Sequence, residues 1–219
     1  RLFNELNDAE LPEEEGPRLG VAWMKFGPDL PGPHGLQLGC FGARGAHQES
    51  HDGNSDGTTD HWLDGDSRFY GADLVYKYDA VREHGLGDFT LQAEYMHRVK
   101  DLEVAQHDLM PAFTGETRLD RQDGYYVQGV YGFLPRWRAG LRWEQFGLKS
   151  ESDYPDGTDE TFGTSHRLAG MVDFTPSHFS RLRFQVAQGR YDLGGDDEDV
   201  WQFFVQWMVS LGTHGAHDF

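Results

Sequence analysis

Trp201-Gln-Phe-Phe-Val-Gln-Trp-Met-Val-Ser-Leu211 is the stretch whose reading decides the fold. Trp201, Phe203, Val205, Trp207, Val209 and Leu211 alternate with Gln202, Gln206 and Ser210. A period of two predicts a strand with one apolar and one polar face. Working outward, Leu182, Phe184 and Val186 alternate with Arg181, Arg183 and Gln185 in the same way. Trp137, Ala139, Leu141 and Trp143 do so against Arg138, Arg142 and Glu144. Further strands are predicted at 19–26, 36–44, 69–78, 89–98, 124–133 and 166–174, which makes nine.

Composition bounds what these strands can build. The chain has 219 residues, 37% of them hydrophobic, and a formal charge of −18. That acidity, with no clustered Lys/Arg patch, excludes a nucleic-acid partner. No apolar run approaches the ~20 residues of a membrane helix, but a barrel conceals its lipid face by alternation. Too many strands carry long aromatic faces for the small core that this composition allows in a soluble protein. Cys40, the one cysteine, has no partner for an internal disulfide. No charged n-region followed by an apolar h-region opens the sequence, so an export signal is expected to have been removed or to lie upstream.

The links alternate in character. Gly27–Gly35, Asp79–Asp88, Leu134–Arg136 and Thr175–His178 are compact, whereas 45–66, about 101–123, 149–165 and 190–199 are long, acidic and rich in Gly, Asp and Ser. Short turns on one rim and long polar loops on the other predict an all-β fold, an antiparallel transmembrane β-barrel of outer-membrane type. Tyr76, Tyr78, Tyr125, Tyr131, Trp137 and Phe174 fall where an interfacial aromatic girdle belongs. A soluble β-sandwich is the alternative. Nine strands are odd for a closed barrel, so the chain is expected to be the C-terminal part of a larger one, a single domain over 1–219 with residues 1–16 on the outer side. An unrecognised strand within Arg1–Leu11 would remove that argument.

Several segments carry a family resemblance. They are Tyr70-Gly-Ala-Asp-Leu-Val-Tyr-Lys-Tyr78, Phe89-Thr-Leu-Gln-Ala-Glu-Tyr95, Arg121-Gln-Asp-Gly-Tyr-Tyr-Val-Gln128, Leu134-Pro-Arg-Trp137, Phe179-Ser-Arg-Leu-Arg183 and Ser210-Leu-Gly-Thr-His-Gly-Ala-His-Asp-Phe219. Together they resemble the C-terminal half of a proteobacterial outer-membrane β-barrel family labelled zinc-regulated TonB-dependent outer membrane receptor. The resemblance runs from about Leu19 to the last residue. It implies metal uptake with TonB as a partner, although neither a plug domain nor a TonB box is visible in the sequence.

Candidate functional residues fall into three groups. Asp73, Lys77, Glu94, Arg138, Arg142, Glu144, Arg167, Asp173, Arg181 and Arg183 occupy polar-face positions, where they either line a conduit or pair across strands to fill the wall. His47-Gln-Glu-Ser-His-Asp-Gly-Asn-Ser-Asp-Gly-Thr-Thr-Asp-His61 forms the second group. Asp52, Asn54, Asp56 and Asp60 take places one, three, five and nine of a calcium loop and Gly57 the sixth, but Leu63 stands where a bidentate carboxylate is required. The segment is thus a solvated loop, a weak calcium site, or a zinc site through His47, His51 and His61. The third group is terminal. Phe219 resembles the aromatic signal read by barrel-assembly machinery, and His214 and His217, three apart, do not share a strand face.

No Ser/His/Asp order, nucleotide loop or paired-carboxylate motif stands out, so no enzymatic activity is expected. The sequence predicts a bacterial outer-membrane transport protein, a channel or receptor for a small solute with metal ion favoured. Outer-membrane lipid and lipopolysaccharide would surround it. A passive porin, or a structural scaffold that contacts a partner protein without transport, is the alternative.

Overall fold

The computed structural model describes residues 19–51, 59–177, 179–192 and 197–210. The observed class is the predicted one, all-β and antiparallel. The strands are β1 Leu19–Phe26, β2 His34–His51, β3 His61–Tyr78, β4 Phe89–His107, β5 Thr117–Leu134, β6 Trp137–Asp153, β7 Asp159–Thr161, β8 Ser165–Ser177, β9 Ser180–Asp192 and β10 Asp197–Val209. They form one sheet in chain order, except that the short β7 pairs with β6 beside the β6–β8 ladder. The sheet is open, with β1 and β10 at its edges. Among the described residues helix is limited to two 3-10 turns, Glu83–Gly85 and Pro111–Phe113, and no helix there is long and apolar enough to cross a membrane.

All nine predicted strands are present, as β1–β6 and β8–β10, with the three-residue β7 in addition, and the strands run well into segments predicted as long loops. Most of 45–66 is a continuation of the β2–β3 ladder, which pairs His51 with His61. Likewise β4 continues to His107, β6 to Asp153 and β9 to Asp192. The cause lies in what alternation reports. Near the long-link rim neither sheet face carries the continuous apolar belt, so hydropathy has no sustained period there, while backbone N–H and C=O groups still pair.

The opposite rim is compact because its turns bond to one another. Gly87 N–H donates to Gly132 O (2.7 Å), Gly132 N–H to Asp88 O (2.9 Å) and Arg136 N–H to His84 O (2.9 Å). Gly132 is needed there, since a Cβ would collide with the Gly85 carbonyl oxygen.

Register sorts the side chains into two faces. Phe26, Leu38, Leu74, Ala93, Val127, Trp143 and Leu168 stand side by side across seven successive ladder strands, and the row continues through Gln188 to Trp201. Every aromatic residue predicted for the girdle shares this apolar face. Trp137 stacks on Phe174 at 4.6 Å between centroids. From the Trp137–Phe174–Leu182–Trp207 row to the Tyr95–Tyr125 row is eight residues, about 27 Å along a strand. At the ~35–45° tilt of outer-membrane strands that run would span about 19–22 Å of the ~25 Å apolar band. The face is uncovered: Phe203 and Trp207 are each 76% exposed. A cluster of buried apolar side chains, Leu63, Leu102 and Val104, lies on the other face toward the long-link rim.

Candidate functional site

The face opposite the apolar belt carries all ten predicted polar-face residues. Its network begins at the β1 edge, where Lys25 Nζ donates to both oxygens of Asp73 at 2.6 and 2.5 Å. These residues sit on β1 and β3 with Gly39 of β2 between them in register. A Cβ on Gly39 would occupy the space of both charged groups, so the missing side chain is what lets the pair bridge an intervening strand.

The same row continues through Glu94, Tyr126, Glu144 and Arg167, each opposite the next. Arg167 donates to Glu144 Oε2 (2.9 Å) and to Gln202 Oε1 (3.2 Å). Arg142 lies with its guanidinium carbon 3.8 Å from the centre of the Tyr126 ring, a cation–π contact. Its Nε is 2.5 Å from Glu144 Oε1, an ion contact whose angle does not make a hydrogen bond. One row nearer the short turns, Gln128 donates to Gln92 at 3.0 Å. Further toward those turns, Arg183 holds the buried Asp173 through two bonds of 2.6 and 2.8 Å. Lys77 stands opposite Thr90, Arg138 opposite Asp173 and Arg181 opposite Met208.

Pairing across strands therefore accounts for part of the set, and the pairs are fixed by register more than by adjacency in sequence. Lys25, Tyr126, Gln92 and Gln128 were missed by the sequence reading. The parity of β1 and its neighbours was the signal that could have found them. The face as a whole is a wall of oriented donors and acceptors, the chemistry of a hydrated surface.

Of the histidine and aspartate segment, His47, His51, Asp60 and His61 fall among the described residues. His47 is buried and donates from Nε2 to Glu49 Oε1 (2.8 Å), while Glu49 also pairs with Lys100. Asp60 is buried as well, and its Oδ1 lies 2.7 Å from His61 Nδ1. Register places His51, His61 and His107 side by side, with the His61 and His107 rings stacked at 5.0 Å. His47 stands four residues away along β2, about 13 Å. The structure thus groups His61 with His51 and His107 rather than with His47. Among the described residues no three His, Cys, Asp or Glu side chains form a metal-holding group. Asp52, Asn54, Asp56, Gly57, His214, His217 and Phe219 lie outside the described residues.

Beyond the belt, the link between β6 and β7 has its own electrostatics. Asp156 accepts from Thr158 Oγ1 (2.5 Å) and Thr158 N–H (2.9 Å), and these bonds hold its carboxyl below the usual carboxylate range. Partial burial, then the bond from its hydroxyl to Glu160 Oε2 at 2.7 Å, pushes the Tyr154 phenol up.

No family model matches the chain. An uncharacterized protein of Aquifex aeolicus (strain VF5) is 26% identical over 226 residues, which cover 99% of this chain and 44% of that protein. Among solved structures, OmpT (in-vitro folded), an outer membrane protein of Vibrio cholerae, is similar with a TM-score of 0.44 and 15% identity. That similarity covers 83% of this chain and 50% of that one. The chain spans about half the length of the proteins it matches.

Proposed function

We propose that this chain is part of the wall of an outer-membrane β-barrel whose polar face borders a path for small solutes. The observation that carries this reading is the two-faced sheet. One face is apolar and uncovered, reaching the Tyr95–Tyr125 row on β4 and β5 and ending one row lower, at Trp143, Leu168 and Trp201, on β6, β8 and β10, and the other holds charges in hydrogen-bonded rows. In lipid, strands are stable only when their backbone groups are paired, and each interior strand of this sheet is paired on both sides.

A passive conduit is favoured over a metal receptor. The metal class rests on the sequence resemblance, while the polar face mixes guanidiniums with carboxylates and offers no cation-coordinating group among its described residues. A scaffold that passes nothing is the rival. The full protein, reconstituted in planar bilayers, should show discrete conductance steps. Correctly folded protein that gives no conductance would favour the scaffold.

A further inference from the structure

We propose that the arginines on the polar face of β6, β8 and β9 form an anion-binding track for small solutes bearing carboxylate or phosphate groups. The inference rests on the reading of that face as the border of a solute path. It begins from a contrast of charge. The chain is strongly acidic, yet at belt height β6, β8 and β9 present Arg138, Arg142, Arg167, Arg181 and Arg183 on this face against only Glu144 and Asp173. Acidic residues are instead concentrated in the segments near the long-link rim.

The two carboxylates do not neutralise the five guanidiniums. Asp173 is taken in bidentate fashion by Arg183, and Glu144 is shared between Arg142 and Arg167. Arg138 and Arg181 have no carboxylate within ion-pair distance among the described residues, although Asp88 lines the same small cavity as Arg138 at the short-turn rim. Arg181 Nε is also enclosed without any hydrogen-bond partner, and its Nη2 contacts Met208 Sδ at 3.8 Å. With no carboxylate partner for Arg138 or Arg181 among the described residues, an oxyanion supplies charge-assisted acceptors for their guanidinium groups.

Spacing makes these groups a track instead of a patch. From the short turns upward, the register gives first Arg181, then Arg183 and Arg138 in one row, then Arg142, then Arg167. Those steps cover eight residues, about 27 Å along the strands, which is the height of the apolar belt on the opposite face. Small residues stand in register with these arginines: Ala169 and Ala187, both buried, share the Arg142 row, and Gly189 shares the Arg167 row. A planar fork of N–H donors matches carboxylate and phosphate oxygens two at a time, which a lysine does not do, and all five cations are arginines. Successive sites of this kind hold an anion weakly at several heights, and passing from site to site avoids a single deep trap.

The test uses citrate as the probe and the full protein folded in detergent, with folding checked by heat-modifiable gel migration. Calorimetric titration should show citrate binding that weakens as sodium chloride is raised. The pair Arg138→Gln with Arg181→Gln should lower the affinity at least tenfold and leave the Arg183–Asp173 and Arg167–Glu144 bonds in place. If that pair fails to fold, Arg138→Gln alone carries the test, because its side chain is exposed and holds no other element. In bilayers under a potassium chloride gradient, the reversal potential of the same variant should move toward cation preference. No citrate binding by the unaltered protein, or binding unchanged in the variant, overturns the track. Variant-sensitive citrate binding without conductance would support the track and sink the conduit reading.

Discussion

Replacing Phe203 with arginine tests the two-faced sheet at its most exposed point. Phe203 shares a row with Val186, Gly170 and Leu141, four residues from the Trp207 row and four from the Tyr95–Tyr125 row. It therefore sits at the middle of the belt, about 13 Å along the strand from either girdle. Arginine at the bilayer midplane of a barrel costs ~2–4 kcal/mol, against ~0–1 near the interface. Phe203→Arg should lower the folding equilibrium constant by about 30- to 700-fold, since each 1.4 kcal/mol is tenfold. Trp207→Arg should lose much less to charge, being at the girdle. Gln185→Arg, on the polar face between Met171 and Phe204, should cost under ~1 kcal/mol. The assay is equilibrium guanidinium unfolding of the full protein in lipid vesicles, with Phe203→Ala as the baseline for lost side-chain area. Equal costs at Phe203 and Gln185 would refute the assignment of faces.

Gly39→Ala should destabilise the protein by ~1–3 kcal/mol by driving Lys25 and Asp73 apart, and most of that cost should vanish in an Asp73→Ala background, as a double-mutant cycle in vesicle unfolding would show. Asp173→Asn should cost ~2–3 kcal/mol, less than the ~3–5 for a fully buried pair because Arg183 keeps 28% of its side-chain surface; no measurable loss would contradict the bidentate geometry. Because the folded-state pKa of Asp156 is depressed, its contribution to the turn is present at neutral pH and lost only as pH falls through that lowered value, so the Thr158 amide resonance should titrate below the range of a free aspartate. His47→Ala should weaken the packing around Leu63, Leu102 and Val104, and a zinc titration followed by histidine NMR should give the same result with or without it.

The parts of the fold legible in sequence are those where the two faces meet unlike surroundings. Trp201 to Val209 alternates because one side is apolar and the other polar, and the pattern reports that difference directly. His47 to His51 and His61 to Asp66 are equally well paired strands, but neither face there is an apolar belt, so hydropathy carries no trace of them. β7 is three residues long and leaves no period to read. The polar-face residues were individually legible from parity, whereas their partners were not. Lys25 meets Asp73 only because Gly39 lies between them, a fact of register across three strands. The unequal sharing of Glu144 and Asp173 among the arginines likewise appears only once β6, β8 and β9 are aligned.

The central claim is that alternate residues of one strand face lipid and water. Spin labels placed singly at positions 201 to 207 of β10, in a Cys40→Ser background and in bilayers, measure it by collision with oxygen, which partitions into lipid, and with a polar nickel chelate, which does not. The account predicts a period of two, with oxygen access high at 201, 203, 205 and 207 and nickel access high at 202, 204 and 206. Nickel access that is uniform along the strand, or highest at the odd positions, would contradict it.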